Sequence, residues 1–286
     1  MPFGFVNPPP AETALLLSCY GRLLRDEKSG KRLTPMTPST ERWLDPLIAA
    51  IDAAPEPVDL FFRDDDAGWE DDRLFVLLDL FGQLELPLDV AVIPQALERD
   101  VARKLLRRVE AAPELVGVHQ HGFAHTNHER EGRKQEFGPA RGRDEQRADI
   151  AAGRERLGEL LDGVVEPVFT PPWNRCTADT AACLTELGFE VLSREARAEP
   201  FGTPGLRELP VAIDWFAKRG GERLTLVQLG ELAAERVRAG GPVGVMFHHA
   251  IMDPGELRAA AGLLALLAAH PQVRRRRLLA LARAQD

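Results

Sequence analysis

Short apolar runs alternate with amphipathic stretches along most of this chain, and that alternation restricts the folds that it can adopt. Seven runs have the composition of buried strands: 58–62, 88–93, 115–118, 167–170, 190–193, 211–215 and 242–247. Helices are predicted at 41–53, 74–84, 100–111, 144–161, 177–188, 224–239, 255–269 and 272–284. Strands that alternate with helices form parallel sheets. The sequence therefore predicts an α/β fold built on a parallel sheet or barrel.

The first residues differ in composition from the rest of the chain. Residues 1–38 have proline-rich ends and a basic run from Lys28 to Arg32, so we interpret them as a loosely attached extension. Residues 39–286 are predicted to form a single domain, because their number suits one large α/β unit. Met36 is an alternative start to Met1.

Charge and cysteine content argue against several classes of protein. A net charge of −8 and a pI near 5.5 are not those of a nucleic-acid-binding protein. The one basic cluster, residues 274–277, is interpreted as a solvated helix face. No stretch approaches the ~20 apolar residues of a membrane span, and the first residues lack the pattern of a secretory leader. The three scattered cysteines favour reduced thiols and a cytoplasmic location.

Polar residues follow five of the predicted strands, at the point where each strand ends. They are Asp64-Asp65-Asp66, the histidine cluster 119–128, Trp173-Asn174, Asp214-Trp215 and His248-His249. In α/β barrels the active site is built at the rim formed by the carboxyl ends of the strands. We therefore expect these groups to meet at one rim.

Four of the seven histidines lie within the ten residues 119–128. His121 and His125 are four residues apart, a spacing that would place both imidazoles on one face of a helical turn. With one of the adjacent aspartates they would complete an Asp-His-His set with open coordination positions. Such a set is typical of a hydrolytic site for zinc or a related divalent cation. A polar loop that happens to be rich in histidine is the alternative.

Five short motifs occur in the order in which one known family carries them: Phe62-Arg63-Asp64-Asp65-Asp66, His121-Gly122-Phe123-Ala124-His125, Thr170-Pro171-Pro172-Trp173, Asp214-Trp215 and Met246-Phe247-His248. The chain resembles the polysaccharide deacetylase family, also called carbohydrate esterase family 4 or the NodB-homology domain. The likeness is to its divergent bacterial branch and covers roughly residues 58–250. It implies a distorted (β/α)7-type barrel.

The resemblance also implies a role for the side chains in these motifs. Asp65 matches the catalytic base, and Asp66, His121 and His125 match the ligands of one divalent metal ion. Zinc is the first choice, with cobalt, nickel and manganese as alternatives. Asp64 and Asp65 remain an alternative base and ligand pair, because the family usually has an apolar residue at the position of Asp64.

The other half of the reaction is implied by two later motifs. Trp173 matches the aromatic residue whose backbone N–H stabilises the oxyanion, and His248 matches the general acid. His249 is an alternative acid, because a one-residue slip turns the neighbouring side chain inward. The family's third motif usually begins with an arginine that orients the catalytic aspartate. Here Thr170 holds that position, and Arg63 is the candidate replacement.

Several further residues at the predicted rim have less defined roles. Those expected to contact substrate are Trp69, Asn174, Trp215 and His249. Those expected to support the site without binding the metal are His119, His128 and Asp214. Lys134, Glu136 and Arg141 lie on a polar loop predicted over the site and are candidates for recognising a charged substrate.

The predicted function is metal-dependent removal of an acetyl group from an N-acetylated sugar or glycoconjugate, with a small carbohydrate substrate and neither nucleic acid nor membrane as partner. O-acetyl groups are a variant of that substrate class, and the oligomeric state stays open. One alternative keeps the barrel and hydrolyses a non-sugar C–N amide. Another is a catalytically weak carbohydrate-binding protein, which the missing third-motif arginine would favour.

Overall fold

The computed structural model describes residues 42–284, so the predicted extension at 1–38 lies outside the described residues. The strands are β1 (Val58–Ala67), β2 (Leu88–Val92), β3 (Val116–His121), β4 (Glu166–Thr170), β5 (Val191–Leu192), β6 (Arg207–Glu208), β7 (Val211–Asp214), β8 (Lys218–Arg219), β9 (Glu222–Arg223), β10 (Val243–Phe247) and β11 (Val273–Arg275). The helices are α1 (Asp45–Asp52), α2 (Asp71–Gln83), α3 (Arg99–Ala111), α4 (Arg143–Leu160), α5 (Ala178–Glu186), α6 (Leu226–Ala239), α7 (Pro254–Ala269) and α8 (Leu278–Arg283). All seven predicted strands are present.

The main sheet has the strand order β6-β5-β4-β3-β2-β1-β10-β7, with β11 beside the start of β1. Every neighbouring pair in it is parallel. Its two ends approach each other where Val211 of β7 bridges Glu195, which lies just after β5. The predicted distorted (β/α)7-type barrel is therefore confirmed.

The central strands are apolar because helices cover one face of the sheet and the barrel interior covers the other. Strand β2 is buried along its whole length. Phe62 packs edge-on against Phe81 of α2, which in turn packs against Phe247 of β10. Gly244 leaves room for the Phe61 ring, since a Cβ at Gly244 would lie 2.2 Å from that ring. These contacts fix β1 and β10 side by side.

The predicted helix at 272–284 is wrong in its first part. Residues 273–275 form β11, and Val273 pairs with Val58 at the start of β1. The run of four arginines at 274–277 is consequently not a solvated helix face. Arg274 pairs with Asp59, and Arg277 is turned inward to a buried carboxylate. A run of arginines hides this arrangement, because local periodicity carries no information on partners that lie far away in sequence.

Arg277 joins two acidic side chains on β2 and β4, the strands on either side of β3. Its Nε lies 2.7 Å from Asp89 Oδ1 and its Nη2 lies 2.6 Å from Glu166 Oε1. Asp89 is fully buried, and its second oxygen accepts a hydrogen bond from the backbone N–H of Leu278 at 2.7 Å. Burial raises the pKa of Asp89, while the Arg277 guanidinium opposes that rise. The ion pair therefore keeps a charge inside the barrel compensated.

We expect Arg277→Ala to lower the free energy of unfolding by about 3–5 kcal/mol, because it leaves Asp89 buried without its counter-charge. Arg274→Ala is the matched control, since its pair with Asp59 is partly exposed and should contribute about 0–1 kcal/mol. Urea denaturation at pH 7 measures both. The Arg277→Ala deficit should shrink at acid pH, where Asp89 becomes neutral. Equal losses in the two variants would contradict this assignment.

No helix in the described part of the chain is long and apolar enough to cross a membrane.

Candidate active site

Three potential metal ligands meet at the carboxyl ends of β1 and β3. Asp66 Oδ1 lies 3.2 Å from His121 Nε2 and 3.3 Å from His125 Nε2. The ligand atoms of the three residues all lie within 4.8 Å of one another. This is the only such group of three among residues 42–284, and it is the set that the sequence predicted.

His125 reaches this position through a loop and not through a helical turn. His121 is the last residue of β3, Gly122 follows with a φ of 57°, and His125 itself has a φ of 55°. The expected helical spacing is therefore wrong, although it paired the correct histidines. A side chain at Gly122 would collide with Glu136 and Pro172, so glycine is required at this turn.

Glu136 anchors the loop that carries His125. Its carboxylate is fully buried and accepts hydrogen bonds from the backbone N–H groups of Phe123 at 3.1 Å and Ala124 at 2.7 Å. The sequence suggested that Glu136 recognises substrate, but the carboxylate is taken up by the loop backbone. Its position in a polar loop gave no signal for this role.

The hydrogen bond of His121 sets the tautomer that a metal ligand needs. Its Nδ1 donates to the Thr170 carbonyl at 3.0 Å, so Nε2 is the nitrogen that faces Asp66 and would face a metal ion. Burial would lower the pKa of His121, but the carboxylates of Asp66 and Asp65 raise it above its usual value. The pKa of Asp66 is in turn lowered, because hydrogen bonds from His121 and His125 outweigh burial. One oxygen and two nitrogens thus converge with complementary charge.

His119 lies behind the ligands and does not join them. Its Nε2 is 2.9 Å from the Thr170 hydroxyl, and burial holds its pKa well below the usual range. A neutral His119 thus contacts Thr170, whose carbonyl orients His121. His128 is exposed on the loop, where its backbone N–H donates to the Gln135 carbonyl, and no contact with the three ligands is present.

Arg63 donates two hydrogen bonds to the Asp65 carboxylate. Its Nε lies 2.7 Å from Asp65 Oδ1 and its Nη2 lies 3.0 Å from Asp65 Oδ2. Burial would raise the pKa of Asp65, but Arg63 and the neighbouring histidines lower it below the ordinary value. The carboxylate is therefore held both in orientation and in its charged form.

Arg63 is itself fixed by groups from three other parts of the barrel. It is fully buried and contacts the Ser193 hydroxyl at 2.7 Å, the Asn174 side-chain oxygen at 2.5 Å and the Met246 sulfur at 3.0 Å. Asn174 thus holds Arg63 instead of facing a substrate, which corrects its expected role. Ser193 and Met246 were missed, because each looks like an ordinary strand residue.

Asp64 and His249 form a separate buried pair. His249 Nδ1 lies 2.5 Å from Asp64 Oδ2, and its Nε2 lies 2.8 Å from the Trp69 carbonyl. Burial would lower the pKa of His249, but the Asp64 carboxylate raises it to about 9. Both ring nitrogens are occupied, so His249 has none free for substrate or for proton transfer. This geometry corrects its expected substrate contact and argues against Asp64 as a base or ligand.

His248 directly follows β10, whose last residue Phe247 pairs with Asp64 of β1. It is half-buried, it faces the Phe216 ring at 6.0 Å, and its charge acts on Asp65 and Asp66. Its Nδ1 is buried and has no hydrogen-bond partner among the described residues. Burial raises the pKa of Asp214 at the end of β7, while His248 opposes that rise. The Asp214 carboxylate accepts a hydrogen bond from the Phe216 backbone N–H at 2.8 Å, and its support of His248 stays a prediction.

Two of the three predicted rim tryptophans surround His125. The Trp173 ring lies 4.5 Å and the Trp69 ring 4.8 Å from the imidazole, and Trp69 is 41% exposed. Trp215 is only 4% exposed and packs against Trp43 and Phe247. Its expected contact with substrate is therefore wrong, because the aromatic neighbours bury it in the core.

Backbone strain is concentrated at this site. Seven non-glycine residues in the described chain have a positive φ, and four of them are Asp66, His125, Trp173 and Asn174. A left-handed conformation costs roughly 1–2 kcal/mol for such residues. Strain of this kind persists where the surrounding structure imposes it, and it is common at functional sites. The four residues come from three different strand ends.

Comparisons with known proteins agree with this geometry at the level of the fold. The sequence matches no protein-family model and no curated protein. A Mycobacterium smegmatis protein assigned to the polysaccharide deacetylases has a similar structure, with a TM-score of 0.64 and 19% identity over 82% of this chain and 92% of that chain. The peptidoglycan deacetylase PdaC from Bacillus subtilis gives 0.50 and 10% over 81% and 93%. A mutant of a Bacillus anthracis pseudoenzyme of carbohydrate esterase family 4 gives 0.52 and 12% over 80% and 68%.

The chain therefore has the fold of the polysaccharide deacetylases, the class to which the order of its motifs pointed. The identities are low, in keeping with the divergent branch that the motifs suggested.

Proposed function

We propose that this protein is a metal-dependent hydrolase that removes an acetyl group from an N-acetylated sugar or glycoconjugate. The observation that carries the proposal is the meeting of Asp66, His121 and His125 beside Asp65, a carboxylate that Arg63 keeps charged. The similarity to structures described as deacetylases supports it. A cytoplasmic location stays a prediction from the reduced cysteines.

The donor set fits a divalent cation. One carboxylate and two imidazoles are ligands that zinc accepts, and three protein ligands leave a position open for catalysis. The hydrogen bond from His121 Nδ1 to Thr170 fixes the ring in the tautomer that such a ligand requires. Zinc is our first choice, with cobalt, nickel or manganese as alternatives. When bound, the cation would acidify water and polarise the acyl oxygen.

Asp65 and His248 divide the proton transfers. Asp65 accepts the proton of the attacking water, a task for which its lowered pKa keeps it ionised at neutral pH. His248 donates a proton to the nitrogen of the leaving amine. The backbone N–H of Trp173 donates to the oxyanion, a type of contact worth roughly 3–4 kcal/mol.

Arg63 orients Asp65 in place of the arginine that the third motif lacks. Thr170 occupies that position and instead accepts hydrogen bonds from His119 and His121 through its side chain and carbonyl. Arg63 reaches Asp65 from two residues earlier on the same strand, with both carboxylate oxygens engaged. Bidentate pairs of this kind orient a carboxylate as well as stabilise its charge.

A catalytically weak carbohydrate-binding protein is the second candidate, because a structurally similar protein is described as a pseudoenzyme. Metal analysis of the purified protein and acetate release from N-acetylated and O-acetylated sugars separate the two. We expect about one equivalent of divalent metal and acetate release that a chelator abolishes. Metal-free protein that binds glycans and releases no acetate would contradict the enzyme proposal. Hydrolysis confined to a non-sugar N-acetyl amide would favour the amidase alternative.

Glu136 offers a test of the loop that carries His125. Glu136→Gln weakens the acceptor for two backbone N–H groups, so we expect metal affinity to fall about 10–100-fold with the fold retained. Glu131→Gln, on the exposed part of the same loop, is the matched control and should bind metal like the wild type. Competition with a chelating dye measures both. Unchanged affinity in Glu136→Gln would show that the loop does not need this anchor.

A further inference from the structure

Three cationic side chains belong to the turn that carries Trp173 and to the loop segment tied to that turn. Lys134 Nζ lies 5.9 Å from the centre of the indole ring. Arg175 is two residues after Trp173, and its Nη1 donates to the Lys134 carbonyl at 3.3 Å, which ties the loop to this turn. Arg133 adjoins Lys134 in the chain and has a side chain that is 73% exposed. We call Arg133, Lys134 and Arg175 the basic cluster; it is distinct from the arginine run at 274–277.

Nearby carboxylates neutralise the positive charge of the basic cluster only in part. Glu195 Oε1 lies 3.8 Å from Arg133 Nη1 and 3.9 Å from Arg175 Nε, so a single carboxylate serves two guanidinium groups at long range. Arg175 Nε is buried and has no hydrogen-bond partner within residues 42–284. Burial and then the charge of Arg133 lower the pKa of Arg175. Two like charges are thus held together without full compensation.

The position of the basic cluster relates it to the reacting centre. The centre of the Trp173 ring lies 4.5 Å from the centre of the His125 imidazole and 5.9 Å from Lys134 Nζ. A substrate whose acetyl group reaches the metal ligands would place its neighbouring substituents over this ring. The chain as a whole carries a net charge of −8, so the positive potential here is local to the mouth of the site.

We propose that the basic cluster binds an anionic group, a carboxylate or a phosphate, carried by the acetylated substrate next to the sugar that is deacetylated. The inference rests on the proposed function and narrows its substrate class to acidic N-acetylated sugars. Arg133 and Arg175 share one carboxylate at long range, so an added anion can form charge-assisted hydrogen bonds with their guanidinium groups, and Lys134 adds a third positive charge. A nucleic acid would need a wider basic surface than this acidic chain provides.

The test is a comparison of affinities in a protein that cannot turn substrate over. In Asp65→Asn protein loaded with zinc, calorimetry at low salt measures binding of N-acetylglucosamine, its 1- and 6-phosphates and N-acetylmuramic acid. We expect at least one anionic sugar to bind about tenfold or more tightly than the neutral sugar, as charge-assisted hydrogen bonds predict. The phosphates and the carboxylate form separate arms, so the stronger arm identifies the anion.

The variant that tests the basic cluster is Arg133→Gln with Lys134→Gln, which leaves the backbone carbonyl of Lys134 in place. It should reduce the affinity for the anionic sugar to about that for the neutral sugar. The matched control is Arg103→Gln with Lys104→Gln on the exposed face of α3, which removes the same total charge and should keep the preference. A preference that survives in the first variant, or no preference in the parent protein, would overturn the inference.

Failure of the proposed function gives a different result. Acetate release is measured separately in protein with Asp65 intact. Tight binding of acidic sugars without acetate release would refute the deacetylase proposal and leave the anion site standing. Acetate release together with equal affinity for neutral and acidic sugars would refute the anion site alone.

Discussion

Replacing His121 with alanine should remove the bound metal and lower kcat/KM for deacetylation by about 10³-fold or more. The expected size follows from the several kcal/mol of charge stabilisation that a catalytic metal supplies. His121 is the best ligand to remove because it is buried and aimed by Thr170, so solvent or a neighbouring side chain cannot easily replace it. Metal content per chain and initial rates of acetate release measure the two effects.

His128→Ala is the matched control from the same histidine cluster. His128 is exposed, and its hydrogen bond to Gln135 uses only its backbone, so its side chain should be dispensable for metal and activity. Thermal denaturation of both variants reports whether the fold is retained. If His121→Ala keeps its metal, or if His128→Ala loses it, the assignment of ligands within the cluster is wrong.

The barrel and the meeting of Asp66, His121 and His125 could be predicted because their signals are local. Each strand is a short apolar run, and each polar group follows such a run directly, so the order of elements places the groups at one rim. The four-residue spacing predicted that His121 and His125 come together, but on a helical turn, which the structure does not contain there. A glycine turn and the buried Glu136 bring them together, and neither has a signature in the sequence.

The three consecutive aspartates could not be distinguished from the sequence. Regular alternation in a strand would direct Asp64 and Asp66 to one face and Asp65 to the other. The register between β1 and β2 shifts between Asp64 and Ala67, and Asp66 has a φ of 74°. This irregularity lets Asp65 and Asp66 serve the same site, while Asp64 pairs with His249. Such a distortion depends on the neighbouring strand and is invisible in the residue pattern.

Trp215 and Arg63 show that the burial of a side chain could not be predicted from the sequence. Trp215 follows a strand as the functional residues do, but Trp43, a contact from a distant part of the chain, covers it. Arg63 is predicted to orient Asp65, but the sequence gives no sign of what holds the guanidinium in place. In the structure Ser193, Asn174 and Met246 converge on it inside the barrel. Burial of a charge is decided by its partners, and those partners are known only once the strands are assembled.

Asp65→Asn should lower kcat by about 10²–10⁴-fold while the metal content stays at the wild-type level. Asparagine keeps the shape and one acceptor oxygen but cannot take a proton from water. Arg63 would lose its charged partner, so the variant should also be less stable, and rates must be expressed per folded molecule. Acetate release under saturating substrate, with metal analysis of the same sample, separates catalysis from metal loss.

The adjacent positions provide the controls, because the structure gives each aspartate a different surrounding. Asp66→Asn should lose metal as well as activity, since it removes charge from the ligand set. Asp64→Asn should mainly lower stability, since its carboxylate is fully buried against His249. Asp72→Asn, on the exposed side of α2, should change none of the three properties. Full turnover in Asp65→Asn would require another base, and no other carboxylate in the described chain is joined to Arg63 and adjacent to a ligand.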